Sequence, residues 1–325
     1  MVTSRPAPRT APGAARATPR GSPLGDRTGL TLGIGAYLFW GFLPLYFPLM
    51  RPAGAIEIVA HRVVWALAFC AAVLAITGRW RALGAVVRSR RAMALLAIAA
   101  ALVAVNWLTY VFAVLAEHVI EASLGYFINP LVTVLLAVFF LHERLRGPQW
   151  VALGAGALAV VVITWGYGRL PWISLVLAVT FGLYGLVKNR VGRRVAALAG
   201  LTIETATLAP LALGYLLWLA HNGSGTFTSH GSGHALLLAG GGVVTALPLI
   251  MFAGAARRLP LSVIGLLQYL GPTLQFLVGL FVFHEDMPAV RWWGFGLVWV
   301  ALILLSVDGV RSHRSASPAP LQRAA

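Results

Sequence analysis

Nine carboxylates occur in the 325-residue chain, few enough to weigh singly. Glu204 sits about six residues inside a long apolar run, roughly 9 Å deep at 1.5 Å per residue. A carboxylate at that depth is costly unless it is paired, hydrated or protonated. Glu204 is therefore expected either to face a solute pathway and exchange a proton there, or to be kept neutral or hydrogen-bonded by a neighbouring helix. Arg62 is the one arginine inside an apolar run, with His61 beside it and Glu57 one helical turn above His61. It either binds an anionic group of a solute, gates the pathway's mouth, or forms a structural ion pair. Depth allows a pair with Glu121, which enters from the same face. Glu204 enters from the opposite face, which leaves ~12 Å of depth between it and Arg62 in a ~30 Å core.

Further polar and aromatic groups fall in mid-run: Trp40, Asn106, Tyr110, Tyr126, Asn129, Tyr184, Gln268 and Gln275. Each can hydrogen-bond an amphipathic solute or bind one helix to another. With His61 and Arg62 they form the candidate pathway. Asp26, Glu117, Glu143, Glu285, Asp286 and Asp308 fall at run ends or in loops, where water reaches them. No Gly-x-Ser-x-Gly, His-Glu-x-x-His or P-loop occurs, so hydrolase chemistry and ATP drive are not indicated. Gly154-Ala-Gly-Ala-Leu-Ala159 matches a dinucleotide fingerprint formally, but it lies inside an apolar run where small residues serve helix packing. The segment His221–His234 carries three histidines among Gly, Ser and Thr, and reads as a flexible external loop rather than a metal site. No metal or cofactor is expected.

The elements that must position these groups follow from composition. The chain is 59% hydrophobic and 10% charged, with a mean hydropathy of +0.83. Soluble domains carry roughly 25% charged residues, so a soluble enzyme is excluded. Ten apolar runs lie between Leu30 and Val307, each near the ~20 residues that a membrane span requires. Residues 1–28 hold five prolines and five arginines and read as a disordered tail; residues 309–325 form a second polar tail. The net charge is +16. With both termini cytoplasmic, 21 of the 25 basic residues fall on the cytoplasmic side, leaving Arg51, Arg169 and Arg291 outside and Arg62 within a span. The charge is thus a topology signal whose partners are anionic lipid headgroups, not nucleic acid. The single cysteine, Cys70, allows no disulfide within the chain.

The chain also repeats itself. Pro130, His142, Glu143, Trp150 and Gly154 recur as Pro272, His284, Glu285, Trp292 and Gly296, all at an offset of 142 residues. This divides the chain into five-span halves, 29–166 and 167–308. An odd number of spans makes the second half enter the membrane from the opposite side. Inverted repeats of this kind typify secondary transporters, with the site at the repeat interface. Pro130 and Pro272 lie near mid-span, where proline removes one backbone hydrogen bond and bends the helix. They are candidate hinges. Tyr126 and Gln268 each precede one of them by four residues.

Several segments then carry a resemblance: His61-Arg62-Val-Val-Trp65, Asn106-Trp107-Leu-Thr-Tyr110, Glu121 through Pro130, Thr245-Ala-Leu-Pro248, Ala255-Ala-Arg-Arg258 and Leu266 through Phe276. They resemble the EamA-type branch of the drug/metabolite transporter superfamily, over about residues 30–308. The resemblance implies an all-α, ten-helix inner-membrane permease built by duplication of a five-helix unit; members are linked to chloramphenicol sensitivity or resistance. The long Arg/Pro tail departs from the shared pattern. The combined expectation is a non-enzymatic secondary transporter in the plasma membrane, working by alternating access on a small amphipathic metabolite or drug-like solute. A homodimer is compatible with it. The rival is a membrane-embedded enzyme acting on lipid or isoprenoid substrates, which needs acids or histidines clustered at one depth; only His61, Glu57 and Glu121 offer that.

Overall fold

The computed structural model describes residues 26–78, 80–142, 144–191 and 195–315. Of the expected tails 1–28 and 309–325, residues 1–25 and 316–325 lie outside the described residues, as does the repeat mate Glu143, while Arg27 and Thr28 begin α1 and residues 309–315 continue α12. Ten helices are long and apolar enough to cross a membrane. In chain order they are α1 (Arg27–Phe42), α2 (Ala55–Thr77), α4 (Arg90–Leu115), α5 (Val119–Leu141), α6 (Gly147–Tyr167), α7 (Trp172–Val191), α8 (Ala197–His221), α9 (Gly231–Ala256), the pair α10 (Leu261–Leu267) with α11 (Leu270–Phe281), and α12 (Ala289–Ser315). A short helix, α3 (Trp80–Val87), lies between α2 and α4. No strand occurs among the described residues. The protein is all-α and integral to a membrane, as its composition requires.

Local chemistry sets the ends of these helices. The Asp26 carboxylate accepts from the Thr28 amide at 3.0 Å and caps α1; Ser89 accepts from the Ala92 amide at 3.3 Å and caps α4. α2 stops at Gly78, whose φ of +64° is a left-handed conformation that glycine adopts without strain. The repeat mates His142 and His284 follow α5 and α11 with φ of +54° and +52°. Two non-glycine residues in this sparsely populated conformation at equivalent positions accord with duplication. After α1 the chain continues as two 3-10 turns, Leu43–Leu45 and Phe47–Met50, each holding a proline near its start.

The two prolines act differently. Pro130 lies inside α5, which runs through it unbroken. Pro272 is the third residue of α11, and the span is interrupted at Gln268–Tyr269. The Gln268 carbonyl is the acceptor that an N–H at position 272 would have bonded, so the break falls where the missing donor leaves it. The two prolines of the repeat thus stand in different settings, Pro130 within a continuous helix and Pro272 just after a break.

Helix contacts pair up when the halves are exchanged. α1 packs on α9 as α7 packs on α4; α2 on α9 as α8 on α4; α5 on α7 as α11 on α1. The pairs α2–α8, α6–α12 and α5–α11 are their own mates. Close approach of α2 to α9 rests on glycine. A methyl at Gly242 would overlap the Trp65 backbone, and one at Gly241 would come within 3.0 Å of Arg62 Cγ. Small residues thus bring the α9 backbone against the buried arginine.

Candidate functional site

Arg62 is 4% exposed, about 10 Å down α2 from its first residue. Its guanidinium carbon lies 4.8 Å from the Trp107 ring centroid and 5.2 Å from that of Phe47. Nε donates to Thr245 Oγ1 at 3.0 Å, while Nη1 is buried with no hydrogen-bond partner. Among the described residues no carboxylate lies within ion-pair distance of it. The expected Arg62–Glu121 pair is overturned. Glu121 bonds Arg169 Nη2 at 3.0 Å and the Ile173 amide at 3.3 Å, because the α6–α7 turn delivers Arg169 to the start of α5.

Tyrosine hydroxyls surround this charge in place of an acid. Tyr46, Tyr110 and Tyr126 are near enough to interact with the guanidinium electrostatically. Tyr46 is tied to α9 by donating to the Leu237 carbonyl at 2.5 Å. The Tyr110 ring meets Phe47 edge-on at 6.0 Å and Tyr126 at 5.7 Å; its hydroxyl is buried and unpartnered. Tyr126 donates to Asn106 Oδ1 at 3.2 Å, and Asn106 Nδ2 donates to the Leu177 carbonyl at 3.1 Å and to Thr180 Oγ1 at 3.0 Å. Asn106 is thereby used in binding α4, α5 and α7 together. Tyr46, Phe47, Trp107 and Thr245 belong to this chamber but not to the sequence-derived candidates. Trp107 and Thr245 stand in segments already singled out from sequence, Asn106 to Tyr110 and Thr245 to Pro248, whereas nothing in the sequence pattern marks Tyr46 and Phe47.

Glu204, 1% exposed, accepts from Lys188 Nζ at 2.6 Å and from Tyr184 Oη at 3.1 Å. Lys188, counted from sequence among the cytoplasmic basic residues, belongs to the last turns of α7. Rings connect the two charges: Tyr126 meets Phe181 at 5.9 Å, and Phe181 meets Tyr184 at 6.1 Å. The remaining candidates lie in other contacts. Gln275 Nε2 donates to the Trp40 carbonyl at 3.0 Å, tying α11 to α1, and its Oε1 is buried without a partner. Asn129 Oδ1 is likewise unpartnered. Gln268 ends α10 at the break.

His61, next to Arg62, contacts the segment between α8 and α9. Its ring stacks on Phe227 at 4.8 Å and 18°. Thr226, next to Phe227, donates its amide and hydroxyl to Glu57 Oε1 at 2.7 and 2.9 Å. That hydroxyl's single proton is thus used, so His234 Nε2, 2.8 Å away, is the donor to Thr226 Oγ1. The segment expected to be a flexible loop is in fact docked on the start of α2. No group of histidines, cysteines and acids among the described residues is arranged to hold a metal.

Ten spans define a multi-pass membrane protein, and comparison with known proteins narrows this further. The EamA-like transporter family model matches residues 27–165. Protein RarD of Streptomyces exfoliatus is 52% identical over 300 residues, covering 92% of this chain and 94% of its own. An uncharacterized transporter of Pseudomonas aeruginosa is 43% identical over 89% of this chain and 96% of its own. Protein RarD of Escherichia coli K12 is 39% identical over 90% and 98%. A solved crystal structure superposes with a TM-score of 0.56 over 87% of this chain and 98% of its own at 18% identity, a likeness of fold alone. The chain belongs to the EamA-like transporter family, together with the RarD proteins.

Proposed function

We propose that the protein is a secondary transporter that carries a small amphipathic solute across the plasma membrane by alternating access between its two five-helix halves, with both termini cytoplasmic. The observation that carries this reading is Arg62, a buried charge with an unmade hydrogen bond. Burying a cation without an acid is costly, and flanking rings offset only part of that cost, about 2 kcal/mol when desolvated. A solute that meets the free edge supplies the rest. In the closed arrangement Arg62 is reached only if helices part. The Phe227 segment stacks on His61 beside Arg62, and Pro130 and the break at Gln268 are the proposed places to bend.

Glu204 is the proposed coupling site. A proton on its carboxylate cancels the charge that Lys188 pairs with, so proton uptake and the α7–α8 contact are linked. Transport needs no covalent step, which accords with relatives named as transporters.

The test is purified protein in liposomes carrying an internal pH dye, with solute pools added under an imposed proton gradient. The expected result is gradient dissipation by one pool with wild type and its loss in Glu204→Gln. Equal dissipation by both keeps the transporter and removes Glu204 from coupling. Solute entry that is unaltered by the gradient removes proton coupling altogether.

A further inference from the structure

We infer that the Arg62 chamber accepts a small organic monocarboxylate with a flat or apolar body. This deepens, and rests on, the reading of Arg62 as the solute site. The argument is a count of unmet groups. Two buried donors stand free at this place: Arg62 Nη1 on α2 and Tyr110 Oη on α4. Both side chains are more than nine-tenths buried, at 4% and 3% exposed. The chamber holds one full positive charge, and among the described residues no acid neutralises it.

A carboxylate matches that inventory: one negative charge for the guanidinium, and acceptor oxygens for the two donors. A phosphate dianion brings a second charge that nothing in the chamber balances, which is costly in a low-dielectric interior. A neutral amide or alcohol leaves the guanidinium uncompensated. Geometry narrows the approach further. Trp107 and Phe47 lie near the guanidinium within cation–π distance, and Thr245 holds Nε. The ligand therefore meets the Nη1 edge. Tyr110 and Tyr126, and Tyr126 and Phe181, meet edge to face in sequence, and these rings are the apolar groups proposed to meet the ligand's body.

The experiment is calorimetric titration of the purified full-length protein in detergent with benzoate, phenylacetate, indole-3-acetate and hexanoate. The amide of each acid and inorganic phosphate are titrated alongside, with Arg62→Gln and Arg62→Lys in parallel. We expect saturable binding of at least one carboxylate, and its amide weaker by tenfold or more, about what one charge-assisted hydrogen bond gives. Arg62→Gln loses the preference for the acid, whereas Arg62→Lys, which keeps the charge, retains part of it. The inference is overturned if an amide equals its acid, if phosphate binds as tightly, if Arg62→Gln binds carboxylates unchanged, or if none of the four acids binds at millimolar concentration. Counterflow in liposomes separates this from the transport reading. A carboxylate that binds without exchanging removes transport and leaves the site. A neutral solute that exchanges undiminished through Arg62→Gln removes the site and leaves transport.

Discussion

Arg62 and Glu204 are buried to nearly the same degree, about 10 Å in from opposite ends of the bundle. Their surroundings differ. Glu204 has a lysine at 2.6 Å and a tyrosine hydroxyl at 3.1 Å. Arg62 has a threonine hydroxyl, two rings and an unmade bond. A charge with its counter-ion built in is complete without a ligand and can change only if something, such as a proton, breaks the pair. A charge without one is complete only when something else arrives. The aromatic line from Tyr110 through Tyr126, Phe181 and Tyr184 joins the two. The bundle thus keeps an open electrostatic requirement toward one end and a closed one toward the other.

Stability measurements test that contrast most directly. Lys188→Met strands a fully buried carboxylate and is expected to cost roughly 3 kcal/mol, the usual size for breaking a buried pair from one side. Glu204→Gln costs less, because Lys188 is 28% exposed and its long stem can carry the ammonium to water. The double variant Lys188→Met with Glu204→Gln recovers much of the loss, and the non-additivity measures the pair. Thermal unfolding in one detergent gives all three values. Equal costs for the two single variants would mean that the lysine is as trapped as the acid.

Arg62→Gln should show the opposite balance. Removing an uncompensated charge relieves a burial cost while forfeiting the ring contacts and the Thr245 bond, so stability changes by no more than about 1 kcal/mol. Solute binding nevertheless falls. If Arg62→Gln unfolds as readily as Lys188→Met, the arginine is structural and the contrast between the two ends disappears.

The sequence made the ten spans legible because each is a long run whose apolarity does not depend on its neighbours. It also singled out both buried charges, since depth follows from position along a helix. Depth is one coordinate only. The angle at which α2 and α5 face each other decides whether Arg62 meets Glu121, and that angle is set by packing, which the sequence pattern does not display. Arg169, apparently a loop cation, claims Glu121 because a short turn returns it to the same end. Lys188 was hidden by the same ambiguity at a helix end. Tyr46 and Phe47 escaped notice because prolines turn the end of the first span into 3-10 structure, which no helical periodicity marks. The docking of Thr226 and Phe227 depends on Glu57, a residue 169 positions away.

Glu285 sharpens the comparison from a third direction, with the smallest expected effect. Like Arg62 it lacks an ion-pair partner among the described residues and is held by neutral groups, here the amides of Val119 and Ile120 at the start of α5. It lies beyond the end of α11, outside the spans. Burial pushes its carboxyl up to about 7, with Glu117 and Glu121 adding to the rise and the two amide bonds opposing it. An acid whose value is raised in the folded state favours folding while protonated. Its contribution is therefore complete below about pH 4.5, the ordinary value, and is lost as pH climbs through 7. Partial solvent access keeps the effect on the order of 1 kcal/mol. Unfolding temperature should accordingly fall between pH 5 and 8 in wild type and be flatter in Glu285→Gln, which mimics the protonated acid. An unchanged slope in Glu285→Gln assigns the pH dependence to other groups. A variant less stable at pH 8 than wild type would show that the charged carboxylate, through the α5 amides and helix dipole, is the better cap, and that neutral donors can hold a buried charge in this bundle without any ligand.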